Sequence, residues 1–147
     1  MKILAIASAG GHWIQLLRLQ PSFEGHEVVF MSTKTSFAST VSGYKFLVVP
    51  DANRKNPFKM LSTVLSVFKH IKAVKPHIII TTGAAPGLIG IVIGKLFGIK
   101  TAWVDSIANV QTISMSGKIA RYFATKIYTQ WPDLATKGTI YRGNVLS

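Results

Sequence analysis

The sequence has no cysteine in its 147 residues, which removes disulfide frameworks, thiolate zinc sites and cysteine nucleophiles together. Acid is almost as scarce: 5 Asp and Glu stand against 17 Lys and Arg, for a net charge of +12. No His and acidic residues fall at metal-ligand spacing, so no protein-bound metal is expected. There is no secretory leader pattern, because turn residues follow the short N-terminal apolar run where a cleavage site would stand. The longest apolar window, residues 78–94, is interrupted by Thr81, Thr82, Gly83 and Pro86. A membrane span needs about 20 apolar residues, so none is expected. Repeats, low-complexity tracts and internal linkers are also missing, and residues 1–147 are read as one domain.

What remains is a core-forming chain, 48% hydrophobic and only 15% charged, which excludes a disordered tail. Its basic excess is uneven: residues 54–75 hold six basic side chains and no acidic one. Charge of this kind seeks an anionic partner, whether phosphate, nucleic acid or an anionic membrane. Strand patterns recur at 2–7, 27–31, 46–49, 77–81, 101–104 and 127–130, several of them continuous apolar runs such as buried parallel strands need. Helical spacing occupies 13–20, 57–74, 86–97 and 116–125, with Pro76 and Gly98 as stops. This alternation predicts an α/β fold with a doubly wound, mostly parallel sheet. Ligands of such sheets sit at the carboxyl ends of the strands.

Three loops lie at those ends. In the first, Ser8-Ala9-Gly10-Gly11-His12, the glycines let a ligand approach the backbone and the following helix N-terminus offers free N–H donors. The same position favours neutral imidazole at His12, the form a general base requires. Locally the loop reads equally well as a tight strand-to-helix turn. It is neither a dinucleotide fingerprint nor a P-loop. No GxGxxG or Gly-Lys-Ser/Thr is present, and the second strand ends in Met31-Ser32-Thr33 without a ribose-binding acid. In the second loop, Thr82, Gly83, Ala84, Ala85 and Gly87 surround Pro86 and form another small-residue nest of backbone donors, or else a close helix–sheet packing. The third, Asp105 to Asn109, offers one acid that either holds a hydroxyl or caps the next segment.

The basic segment 54–75 places Phe58, Leu61, Val64, Leu65, Phe68 and Ile71 on one broad helical stripe. Arg54, Lys55, Lys59, Lys69, Lys72 and Lys75 gather at its ends. A basic amphipathic helix with aromatic residues reads as a membrane-surface element, against the plainer role of covering the sheet. No RNP-type strand or helix-turn-helix supports base reading, so nucleic acid is not expected as the partner.

The ordered set SAGGH, TTGAAPG, VDSIANVQTISMSGKIARYFATKIYTQWPDL and YRGN resembles the PssD-type subunits of bacterial exopolysaccharide glycosyltransferases over the whole chain. These are similar to the membrane-anchoring subunit of the eukaryotic transferase that adds the second GlcNAc to dolichol-linked oligosaccharide. The resemblance implies a Rossmann-like acceptor half of a GT-B glycosyltransferase, similar to the N-terminal half of MurG. It also implies that a second polypeptide holds the UDP-sugar, that this chain binds no cofactor, and that the acceptor is a polyprenyl-diphosphate-linked saccharide. On that resemblance His12 matches the base for the acceptor hydroxyl, and Gly10 and Gly11 match the acceptor-side glycine loop. Residues 83–87 match the loop near the acceptor diphosphate, while Asp105 stands where many relatives carry Glu. The eukaryotic relatives also have an N-terminal membrane helix that is not seen here. Peripheral attachment at the cytoplasmic face of the membrane, through the basic helix and the partner, is therefore expected. A noncatalytic anchor and a nucleic-acid-binding α/β domain are the rival readings.

Overall fold

Parallel strands are usually buried on both faces, and the apolar runs of this chain supply what that requires. The computed structural model describes residues 1–52 and 55–146. Strand β1 (Lys2–Ile6) is followed by helix α1 (Gly11–Arg18), then by β2 (Glu27–Ser32) and β3 (Lys45–Val48). Helix α2 (Pro57–Val74) leads to β4 (Ile78–Thr81), α3 (Ala84–Leu96) and β5 (Lys100–Val104). The chain continues through α4 (Met115–Ala120), β6 (Lys126–Thr129) and β7 (Ile140–Tyr141). The seven strands form one sheet in the order β3-β2-β1-β4-β5-β6-β7, and each ladder between them is parallel. At its centre Ile6 of β1 lies opposite Met31 of β2 and Thr81 of β4. The order reverses between β1 and β4, which opens a crevice beyond their carboxyl ends.

Alternate residues of β1 serve two cores. Leu4 and Ile6 pack with Val29, Met31 and Ile79 beneath Val67, Ile71 and Val74 of α2. Ile3, Ala5 and Ala7 face α1, where Trp13 and Leu16 are buried. Trp13 stacks on Phe37 at a centroid distance of 5.3 Å, and its Nε1 donates to Thr40 Oγ1 at 3.1 Å. A third cluster joins Ile91, Trp103, Ala120 and Ile127 under α3 and α4.

Four features differ from the sequence expectation. First, α1 and α3 begin two residues early, at Gly11 and Ala84. Pro86 therefore falls inside the first turn of α3, where its missing N–H removes no helical bond. Second, α4 stops at Ala120, five residues short, because the Tyr122 and Phe123 amides donate to Ile119 and Ala120 and tighten the last turn. Third, β7 is a two-residue edge strand, too brief to carry a period. Fourth, the single apolar stripe of α2 is divided. Thr63, Val67, Ile71 and Val74 are buried, whereas Phe58, Leu61, Leu65 and Phe68 face solvent. Two apolar arcs on one helix look like one broad arc in sequence. The Asn56 side chain caps this helix by accepting from the Phe58 and Lys59 amides at 3.1 and 3.2 Å.

Candidate functional site

The crevice at the β1/β4 switch point is built from two glycine loops that grip each other. Gly10, at a φ of 88°, is the N-cap of α1, and its carbonyl accepts from the Trp13 and Ile14 amides. This leaves the amides of Gly11 and His12 outside the helical ladder. Across the crevice, Gly83 is the N-cap of α3. The two are locked together twice. Thr82 Oγ1 donates to the His12 carbonyl at 2.7 Å, and His12 Nδ1 lies 3.0 Å from the Thr82 carbonyl. A carbonyl only accepts, so Nδ1 must carry the proton. In the neutral ring Nε2 then holds the lone pair, and it makes no hydrogen bond to the described residues.

Gly83 makes this arrangement possible. Its φ of 131° is one that side chains rarely adopt, and a Cβ there would stand 2.8 Å from His12 Nδ1. Gly87 serves differently: a Cβ would collide with the Thr81 hydroxyl, so this glycine brings α3 down onto the sheet.

His12, Thr82, Gly83, Ala84, Asp105 and Asn109 line one cleft of about 140 Å³, together with Ser106 and Ser114. His12 and Gly11 also border an apolar cleft of about 330 Å³, lined by Ile14, Ile107 and Val145. Ser8, Gly10, Ala85 and Gly87, expected at the acceptor site, line neither cleft.

Of the two readings of Asp105, the structure favours the one that holds the next segment over the one that holds a ligand hydroxyl. Asp105 is only 2% exposed, and four donors converge on its carboxylate. Trp103 Nε1 and Ser114 Oγ reach Oδ1 at 2.9 and 2.5 Å; Asn109 Nδ2 and the Ser114 amide reach Oδ2 at 3.1 and 3.0 Å. Its oxygens are thus committed to the protein, and the residue shapes the loop from 105 to 114 rather than offering a free carboxylate. The carbonyl of Asp105 is held as firmly. The buried Gln15 and Gln130 both donate to it, at 3.2 and 2.9 Å. Their own oxygens accept from the Ile107 and Val145 amides at 3.0 and 2.9 Å. This fully paired polar network ties α1, the third loop and the segment after β7 into one unit. Neither glutamine was legible as a site residue; for Gln15 the only signal was a polar side chain on the inward face of α1.

Beyond the cleft, the α2–α3–α4 layer is acid-free at its surface. Between residues 52 and 132 the sole acidic residue is the buried Asp105, against eleven basic ones. Lys55, Lys59, Lys69, Lys72 and Lys75 are exposed; Arg54 lies outside the described residues. The same layer exposes Phe58 at 85%, Leu96 at 78%, and Leu61, Leu65, Phe97 and Met115 to lesser degrees. Among the described residues no helix is long and apolar enough to cross a membrane, and no three His, Asp or Glu side chains gather to hold a metal.

A family model described as "Oligosaccharide biosynthesis protein Alg14 like" matches residues 48–145. The chain belongs to the Alg14-like family. Among curated proteins it is 26% identical to the human UDP-N-acetylglucosamine transferase subunit ALG14, covering 99% of this chain and 83% of that one. The Schizosaccharomyces pombe alg14 subunit is 43% identical over 51 residues, 35% of this chain and 23% of that one. Among solved structures, MurG of Acinetobacter baumannii superposes with a TM-score of 0.78 at 16% identity, over 97% of this chain and 46% of MurG. A UDP-GlcNAc 2-epimerase from Methanocaldococcus jannaschii gives 0.71 at 13% identity, over 98% of this chain and 46% of that one. The Alg14-like chain thus spans about half the length of these structures, and at such identities they share its fold alone. That fold is the expected one, a Rossmann-like doubly wound sheet like the N-terminal half of a GT-B glycosyltransferase.

Proposed function

We propose that residues 1–147 form the acceptor-binding, membrane-associating half of a two-polypeptide inverting glycosyltransferase. The second polypeptide supplies the UDP-sugar, and the acceptor is a polyprenyl-diphosphate-linked saccharide. Among bacterial systems the motif order favours the PssD type, acting in exopolysaccharide or capsule synthesis, and the Alg14-like membership supports the broader class. The observation that carries the chemistry is the fixed tautomer of His12: Nδ1 is held at the Thr82 carbonyl, so Nε2 is the free acceptor. A base so oriented takes the proton of a sugar hydroxyl as that oxygen attacks the anomeric carbon of the donor, with inversion. The bond from that carbon to UDP breaks, and the partner holds the departing diphosphate. On this side, the amides of Gly11 and His12 at α1 and the N-terminus of α3 face the acceptor diphosphate. Asp105 and Asn109 act together by holding the loop that closes the cleft.

The test is reconstitution. The chain copurified with its partner should transfer label from a UDP-sugar to a membrane lipid fraction, and neither polypeptide should do so alone. A complex inert with every donor would overturn the assignment.

The membrane is engaged through the acid-free layer, with the protein peripheral at the cytoplasmic face. Phe58, Leu61 and Leu65 enter the interface while Lys55, Lys59, Lys69, Lys72 and Lys75 meet anionic headgroups. A cation at such a surface contributes about 1 kcal/mol. Replacing Lys69 and Lys72 with Gln should therefore weaken binding to phosphatidylserine-containing vesicles by roughly thirtyfold. The loss should shrink at high salt; equal binding by variant and parent would assign these lysines to solvation only.

A further inference from the structure

Strand β4 ends at Thr81, which the ladders place opposite Ile6 on one side and Trp103 on the other. The next peptide unit, from the Thr82 carbonyl to the Gly83 amide, lies past that last paired residue, so no ladder orients it. Nor do local sterics. Glycine admits many torsions, and Gly83 stands at a φ of 131° that other residues rarely adopt. Yet the oxygen of this unit sets the tautomer of His12. Something else must hold it.

That holder is a buried hydroxyl. The Gly83 amide donates to Thr81 Oγ1 at 3.1 Å, and Thr81 is fully buried. A peptide bond is planar and trans, so its N–H and C=O point to opposite sides. Fixing the N–H therefore fixes the carbonyl. With the Gly83 amide turned toward Thr81, the Thr82 carbonyl turns away from it and meets His12 Nδ1 at 3.0 Å. The Thr82 side chain closes the same contact from its other end, donating to the His12 carbonyl at 2.7 Å. Helix α3 makes room for the arrangement. A Cβ at Gly87 would overlap the Thr81 hydroxyl, so the helix gives up a side chain where that oxygen stands. Thr81 itself lines neither cleft beside His12.

We infer that Thr81 is the positioning residue of the site: its hydroxyl, acting through the Thr82–Gly83 peptide, sets which ring nitrogen of His12 carries the proton. Without that acceptor the peptide unit turns to find another partner for its amide. The carbonyl then leaves Nδ1, and with neither nitrogen held the two neutral tautomers coexist. The tautomer follows from the geometry alone; only its effect on turnover rests on the glycosyltransferase reading above.

Nitrogen-15 NMR of the histidine-labelled full chain in alkaline buffer tests this, with the His12 signals identified by their loss in His12→Ala. The parent should show Nδ1 protonated and Nε2 bare. Thr81→Val keeps the branched shape but not the acceptor, and should give a mixture of both forms. Thr81→Ser keeps the acceptor and should give the parent's spectrum. In the complex with the partner, Thr81→Val should lower turnover by roughly 10–10²-fold, the scale for a misplaced catalytic group. The acceptor KM should stay near the parent's, and Thr81→Ser should keep the parent's rate. If Thr81→Val does not fold, Thr81→Ala makes the same comparison without crowding α3. A threonine that only supports the fold would shift the urea midpoint of Thr81→Val and leave the tautomer as in the parent, which would overturn the inference. So would a Thr81→Ser as mixed as Thr81→Val, or a loss of turnover with the tautomer intact. A mixed tautomer with full turnover would refute His12 as the base and leave Thr81 as the residue that positions it.

Discussion

His12→Ala, purified with its partner and given a UDP-sugar and a lipid-linked acceptor, should lose roughly 10²–10⁴-fold in turnover, the range for a missing general base. The acceptor KM should change little, because the deleted group acts on a proton that moves only in the transition state. Three facts carry the expectation. The ring is anchored through Nδ1 to a carbonyl, which fixes the tautomer. Nε2 is left as the acceptor. The residue borders both the cleft at the α3 N-terminus and the apolar cleft on the α1 side, so a sugar spanning them passes this nitrogen. An unimpaired His12→Ala complex would remove His12 from the mechanism and leave the chain as a noncatalytic anchor.

Gly83→Ala should be nearly as damaging by another route. The residue sits at a φ of 131°, and forcing a side chain into such backbone costs about 1–3 kcal/mol. The new methyl would stand 2.8 Å from His12 Nδ1 and 2.9 Å from Cε1, well inside contact distance. The imidazole must shift, and the shift breaks the bond to the Thr82 carbonyl that sets its tautomer. Displacement of a catalytic group by about 1 Å can cost 10²-fold, so turnover should fall by about that factor. Urea unfolding should report the strain separately. A variant with the parent's rate and midpoint would mean that the crevice relaxes freely and that the His12 anchor has no catalytic weight.

The fold was legible because its strands are short apolar runs bracketed by turn residues, and because helices punctuated by Pro and Gly separate them. The crevice was legible for a similar reason: two small-residue loops, each between a buried strand and a helix, must converge at the carboxyl edge. What the pattern could not convey depends on partners distant in sequence. Gln15 looks like an ordinary helix residue until its amide is found between Asp105 and Ile107, about 90 positions away. Asp105 read either as a free acid or as a cap, and what decides it, donors from Trp103, Asn109 and Ser114, depends on how the loop from 105 to 114 folds back. In α2, the stripe read from hydropathy held Ile71 but passed over Val67 and Val74, and it could not tell the sheet side from the outside. That division depends on which way the helix is turned, and Val67 and Ile71 determine it by packing on β1 and β2.

The strand order has a consequence for how the protein is assembled. Pairing of β1 with β2 and of β2 with β3 involves neighbours in sequence, as does every pairing from β4 to β7. The ladder between β1 and β4 alone joins segments some 75 residues apart, such as Ile3 with Ile78, and long-range closure of this kind is the slow kind. A chain emerging N-terminus first presents β1–β3 before β4 is available to pair with β1. His12 belongs to the early half and Thr82 to the late one, so the imidazole acquires its anchor only when the seam closes. A half-folded chain therefore carries the histidine without the contact that orients it.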